Sequence, residues 1–255
     1  MKHRIRATSA FLGAILALAT SARAAVTIQN FTNVAPGGGL AGTPHDPLLA
    51  GSPDLIAASA TDLLTGLAPT VTYTGGSGNT QYEDSRGESA WNDGSITTVY
   101  GGVPNAVAHL AYGVAVATVG GSDIDAFVTY DLGALYHLSQ IDVILGWNDS
   151  GRDESSFNVL VADESMTFTL LASYLKGTDD TGVIGTPVTN LHRFIDDGGG
   201  DVAGNVRYVQ FQFTDADNGA AGIAEIDVFG TAVPEPSALV IAGLGLASAG
   251  LRRRR

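Results

Sequence analysis

Cysteine is absent from the 255 residues, which excludes disulfides, thiolate nucleophiles and cysteine-ligated metals together. Basic residues are nearly as scarce over most of the chain. Of 13 lysines and arginines, Lys2, Arg4, Arg6 and Arg23 stand at the start and Arg252 to Arg255 at the end. Residues 25–232 therefore keep five against 25 carboxylates, a balance of −20. Such a body repels phosphate backbones, which argues against nucleic acid and leaves divalent cations or neutral ligands as partners. Common catalytic signatures are missing too: there is no G-x-S-x-G elbow, H-E-x-x-H pair or G-K-[ST] phosphate loop. His45, His109, His137 and His192 never fall at metal-ligand spacing. No repeat of 20 to 50 residues occurs, which disfavours a solenoid or propeller.

What is present begins at the two ends. Met1 to Arg6 is basic, Phe11 to Ala19 apolar, and Ala22-Arg23-Ala24 has the small-residue spacing of a cleavage site, so residues 1–24 read as a secretory signal peptide. At the other end Ala238 to Leu251 is an apolar run of 14 residues. As a helix it reaches about 21 Å at ~1.5 Å per residue, short of a ~30 Å hydrocarbon core, so it reads as a short transmembrane helix helped by arginine stems that reach the headgroups. The arginine cluster stays cytoplasmic and leaves the body outside.

Val233-Pro234-Glu235-Pro236, the apolar run and Arg252-Arg253-Arg254-Arg255 follow one another in that order. Together they resemble the PEP-CTERM sorting signal. The resemblance implies a Gram-negative bacterium that makes extracellular polysaccharide, and processing by the membrane protease-transpeptidase exosortase after export through the inner membrane. The mature chain would then lie on the outer surface or in the extracellular (biofilm) matrix.

Between the ends, residues 25–89 are loop-rich. Ser52 as a cap, Pro53 in the first turn and a face of Ile56, Ala60, Leu63 and Leu64 ending near Gly66 predict one helix there. Gly37 to Gly42 has dinucleotide-loop spacing but no preceding strand, and reads as a loop. Beyond Ser89 the pattern becomes period two. Ile141, Val143 and Leu145 alternate with polar neighbours, as do Phe157, Val159 and Val161, then Val209, Phe211 and Phe213 against Tyr208, Gln210 and Gln212, then Ile226 and Val228. Antiparallel strands of this kind keep one face wet and pack the other, so residues 90–232 read as an all-β sandwich.

Five pieces of that body stand in a recognisable order: Ala90-Trp91-Asn92-Asp93-Gly94 with Thr98 five residues after the Asp, Tyr130-Asp131-Leu132-Gly133, Ile141 to Ile144, the Phe157 strand with its acidic turn, and Glu225 to Gly230. They resemble the galactose-binding-like family of discoidin and carbohydrate-binding modules, which implies an eight-stranded jelly-roll β-sandwich. Tyr100 departs from the family, which often has Trp there. The resemblance further implies a structural calcium held by Asp93, the Thr98 hydroxyl and Glu225, hard oxygens suited to that ion, and the carbonyls of Ser95 and Ala224 are candidate additional ligands. The alternative is that Asp93 merely starts a turn and Glu225 is a solvated surface charge.

Sugar-binding modules of this kind present an aromatic ring beside hydrogen-bonding groups at the loop end. Trp147, Asn148, Asp149, Arg152 and Asp153 supply that combination in one turn between two strands. The competing reading makes Trp147 a strand-end core residue and pairs Arg152 with a neighbouring Asp. Asp196 to Asn205 resembles one glycine-rich calcium turn, but such turns work in series, and a lone copy reads as a mobile loop. The function expected is a non-catalytic module that engages extracellular polysaccharide. A purely structural or adhesive matrix protein, and a hydrolase or lyase built on two of the many carboxylates, are the rival readings.

Overall fold

A computed structural model of the chain describes residues 25–34, 58–74, 78–80, 87–94, 96, 115–117, 125–146, 152–177, 188–216 and 219–234. Nine strands lie among them: β1 (Val26–Val34), β2 (Thr70–Tyr73), β3 (Ala115–Ala117), β4 (Ala126–Gly146), β5 (Ser155–Ala162), β6 (Thr169–Tyr174), β7 (Val188–Asp196), β8 (Ala203–Ala216) and β9 (Ala220–Ala232). Every pairing is antiparallel. The predicted signal peptide and the apolar tail lie outside the described residues, and among the described ones no helix is long and apolar enough to cross a membrane.

The 21-residue strand β4 organises the molecule. Its first part, Ala126 to Asp131, runs between β2 and β8, while Gln140 to Gly146 runs between β7 and β9. The register breaks between Asp131 and Leu138. There Gly133 takes φ +78° and its amide is held 2.8 Å from Asp131 Oδ1. A bulged stretch of this kind bends a strand and raises its twist. The result is two layers joined by one strand: a first sheet ordered β2-β4-β8-β5-β6 and a second ordered β1-β7-β4-β9-β3.

Their inner faces meet as alternation predicts. Ile141, Val143, Leu145, Phe157, Val159, Val161, Val209, Phe211, Phe213, Ile226 and Val228 are all buried in one core. Phe157 of the first sheet packs on Phe194 of the second at 5.9 Å between ring centres. His192 belongs to this core: it stacks on Tyr174 at 3.8 Å, its Nδ1 lies 2.9 Å from Asn30 Oδ1, and burial pushes its pKa down to about 3.

Two expectations change. The helix predicted to end at Gly66 is not there in its described part, residues 58–66, which form bends and turns. Short polar side chains capture the backbone donors that a helix would use. Ser59 Oγ accepts the Thr61 amide, Asp62 Oδ1 accepts the Leu64 amide, and the Leu63 amide donates to Val228 of β9. The glycine-rich turn between β7 and β8, strands that do not pair with each other, is a hydrogen-bonded turn in which Asp196 accepts the amides of Gly199 and Gly200.

Candidate functional site

The region of interest lies along β9, beyond its ladder with β4. From Ile226 to Val228 the exposed-side hydrogen bonds of this strand go to non-strand segments. The Ile226 amide donates to Trp91 O (2.6 Å), the Leu63 amide to Val228 O (2.8 Å) and the Val228 amide to Asp62 Oδ1 (3.2 Å). Leu64 and Trp91 enter the main core from these segments, and Ala58 and Ile96 join Ile144, Leu191 and Ala224 in a second, smaller cluster. The second sheet is thus covered on its outer side along β9 and the adjoining end of β4. The wet outer face that period-two patterning predicts is absent there, because segments from residues 58–67, 87–94 and 96 pack against it.

The Ala90 to Gly94 turn closes against the last strand. Gly94 donates its amide to Glu225 Oε1 at 3.2 Å. Its φ of +80° suits glycine, and a Cβ there would stand 2.8 Å from the Ala60 Cβ, so conformation and space both call for glycine. Asn92 is fixed from below, its Nδ2 donating to the carbonyls of Leu64 and Leu67. A Glu225 left as a solvated surface charge is ruled out, since it is 0% exposed.

Beneath the turn lies a concentration of buried acid: Asp62, Asp142, Glu225 and Asp227 are each 9% exposed or less. Asp142 is neutralised by Arg193, whose Nε and Nη2 reach it at 2.9 and 2.7 Å. Asp62 accepts the Leu64 and Val228 amides and the Thr65 hydroxyl. Glu225 and Asp227 have less. Their carboxyls act on one another electrostatically, and Glu225 Oε2 and Asp227 Oδ1 are buried with no donor. Buried carboxyls so placed are stabilised by taking up a proton or by a cation at their open oxygens. In the polypeptide alone both pKa values rise. Burial is the largest cause for each, reinforced by Asp227 at Glu225 and by Asp62 at Asp227.

Of the residues expected to hold calcium, the structure brings together Glu225, Ala224 and the Asp93 turn, while Ser95 and Thr98 lie outside the described residues. Among the described residues no three His, Asp or Glu side chains converge as metal ligands. A cation there would depend on carbonyl and hydroxyl oxygens for most of its shell. The orphaned carboxylate oxygens and the all-oxygen donor set fit a hard divalent ion.

Of the proposed sugar-binding turn, Trp147, Asn148 and Asp149 lie outside the described residues. Arg152 and Asp153 are 9% and 4% exposed, not presented to solvent as an exposed turn requires. Their backbone ties the turn down: Arg152 O accepts the Gly222 amide at 2.6 Å and Asp153 O accepts Asn190 Nδ2 at 3.1 Å. Arg152 holds φ +76° to do so. A cavity of about 600 Å³ opens elsewhere, beside the Asp93 turn, lined by Leu67, Pro69, Glu88, Ser89, Asn92 and Asp93 among others. Sequence reasoning missed Asp62 and Asp227. Asp227 was within reach of it, two residues from Glu225 on an alternating strand. Asp62 had no signal, being more than 160 positions away.

Residues 232–255 match the PEP-CTERM protein-sorting motif. The chain therefore carries a sorting signal that marks a secreted surface protein. Ala232, Val233 and Pro234 are its only described residues, the rest lying outside. No curated protein matches the chain. Solved structures similar to it include the lectin domain of lectinolysin complexed with Lewis B antigen (15% identity, 68% of this chain and 99% of that one, TM-score 0.41). CpGH89CBM32-6 of Clostridium perfringens is similar at 15% identity over 66% and 98% of the two chains, TM-score 0.38. Chitosan-binding module 1 from a chitosanase/glucanase of Paenibacillus sp. IK-5 is similar at 17% over 66% and 98%, TM-score 0.37. At these scores none of them carries a ligand or a residue role over to this chain.

Proposed function

We propose that this PEP-CTERM protein is sorted by exosortase to the outer surface or matrix of a Gram-negative bacterium, where its sandwich is a non-catalytic carbohydrate-binding module steadied by calcium. The observation that supports the reading most is the closure of the Asp93 turn onto Glu225, with buried carboxylate oxygens left without donors. That is the junction at which the ordered motifs of the galactose-binding-like family imply an ion. Asp93, Thr98 and Glu225, with the carbonyls of Ser95 and Ala224, would hold it. The ion would supply fixed positive charge that lets the acidic turn fold against β9. Glycan contact is assigned to the loop end, with Trp147, Asn148 and Asp149 as the ring and its polar neighbours. Arg152 and Asp153 serve that loop from its buried base. No acid–base role is assigned to the buried carboxylates, which the covering segments keep away from a polymer.

The test is retention of the full chain, in mild detergent, on extracellular polysaccharide in millimolar calcium and in chelator, with reducing ends assayed in parallel. Retention without new reducing ends supports the reading. Release of reducing ends overturns it in favour of a hydrolase or lyase, and absence of retention on every glycan leaves a structural matrix protein.

A further inference from the structure

We propose that the outward face of the first sheet is a second binding surface, a flat platform for a neutral polysaccharide chain; this rests on the carbohydrate-binding reading but uses neither the loop end nor the ion. Strand register places Phe127, Gln212, Asn158 and Ser173 in one row across four strands. Their polar groups are linked: Ser173 Oγ donates to Asn158 Oδ1 (2.6 Å), Asn158 Nδ2 to Gln212 Oε1 (3.1 Å), and Gln212 Nε2 to Asp125 Oδ2 (2.5 Å). The next row is Thr129, Gln210, Leu160 and Leu170, with Gln210 Nε2 on Thr129 Oγ1 at 2.8 Å. Tyr208 follows, opposite Asp131, with Phe168 edge-on to it at 6.5 Å. All these side chains are half-buried or exposed, apart from Asp125 and Asp131 at the margins all are uncharged, and five strands at ~4.8 Å spacing make a face about 19 Å wide.

Three features choose the occupant. First, no residue of the two rows is ionisable, in a body whose balance is −20. Among the described residues, charge sits at the margins, on Asp125, on Asp131, which Arg207 already pairs at 2.9 Å, on Glu164 beside Arg207, and on the Lys176–Asp215 pair at 3.2 Å. A polyanion is repelled by the body and a polycation finds nothing on these rows. Second, protein interfaces centre on large apolar anchors, whereas the centre here is Gln212, Gln210, Asn158 and Thr129. Third, those amides are already held in position by one another, so a polymer of hydroxyls meets donors and acceptors whose ordering cost is partly met beforehand. Phe127 and Tyr208 offer apolar ring surface beside them for the C–H faces of sugars.

The experiment is affinity electrophoresis of the full chain in mild detergent through gels containing a neutral polysaccharide, comparing wild type with the double variant Asn158→Ala/Gln212→Ala and with Trp147→Ala. The expected result is at least a tenfold loss of affinity in the double variant at unchanged Tm. Undiminished binding in the double variant, with loss in Trp147→Ala, overturns the platform and leaves the loop-end site standing. If wild type binds no glycan, the carbohydrate reading fails and the platform with it. Retention by matrix material that disappears on protease treatment assigns the face to a protein and overturns the proposal.

Discussion

The two sheets share a strand and a core but treat their outer faces in opposite ways. On the first sheet the outward positions are amides, hydroxyls, a few rings and the leucines Leu160 and Leu170, half-buried or exposed to water. On the second, the outward positions of β4 and β9 include Asp142, Ile144, Glu225 and Asp227, all buried, Asp142 against Arg193 and the others beneath segments from residues 58–67, 87–94 and 96. An acidic protein would ordinarily leave its carboxylates on the open face. Placing them under a cover accepts a desolvation penalty of several kcal/mol per ion, and such an arrangement persists where positive charge is supplied to it. One face leaves uncharged polar groups open to solvent, the other encloses carboxylates beneath turns.

Substitutions can break this contrast. The largest effect is expected for Trp91→Ala, which empties a fully buried site at the point where the covering turn enters the core. A loss of about 3–5 kcal/mol by denaturant unfolding is predicted. The ion pairs come next. Removing Arg193 strands Asp142, whose side chain is 2% exposed, and costs about 3 kcal/mol. The superficially similar pair on the first sheet, Asp131 and Arg207, is exposed, and Arg207→Ala is expected to leave Tm unchanged. Equal effects from the two arginine variants would erase the distinction between the faces.

Calcium and pH probe the enclosed face further. A ligand at one hundred times its Kd stabilises by about 2.7 kcal/mol, so Tm is expected to rise in millimolar calcium for wild type and not for Asp93→Ala. The proton dependence has a definite sign. Glu225 and Asp227 have native pKa values raised from 4.5 and 3.8 to about 10 and about 8. In chelator the native state therefore holds protons that the unfolded chain releases. The two carboxyls' share of the stability is full below about pH 4 and is lost as pH rises toward 8 to 10, whereas buried His192, lowered to about 3, contributes with the opposite sign and loses its share as pH falls below 6.5. Calcium competes with those protons, so its stabilisation should grow over the same interval. A chelated protein whose Tm climbs from pH 6.5 to pH 8 would contradict this. The smallest expected effect is Gln212→Ala, within ~0.5 kcal/mol, as befits a side chain on a wet face.

How far the sequence could be read follows the same division. Period-two patterning identified the inward residues of β5, β8 and β9 because alternation is local and one apolar face must be packed. It could not identify the cover over the second sheet, since that depends on Asp62 and Trp91 finding β9 across more than 130 positions. Alternation therefore implied that Glu225 faces water, while the ordered motifs placed it at an ion. The structure sides with burial. The helix expected to end at Gly66 failed for a related reason: its apolar spacing was helical, but Ser59 and Asp62 gave the amides of Thr61 and Leu64 other partners. Nor did the short runs around Tyr130 and Ile141 announce one strand, because Gly133 reads as a turn when its bulged surroundings are unknown.

Strand β4 carries a consequence for how the molecule comes apart. Because one continuous segment is the inner neighbour of four others, two in each layer, neither layer can lose its order while the other keeps it. Unfolding of the body is thereby made a single cooperative event, and a glycan gripping one side would steady the carboxylates on the other through the chain they have in common.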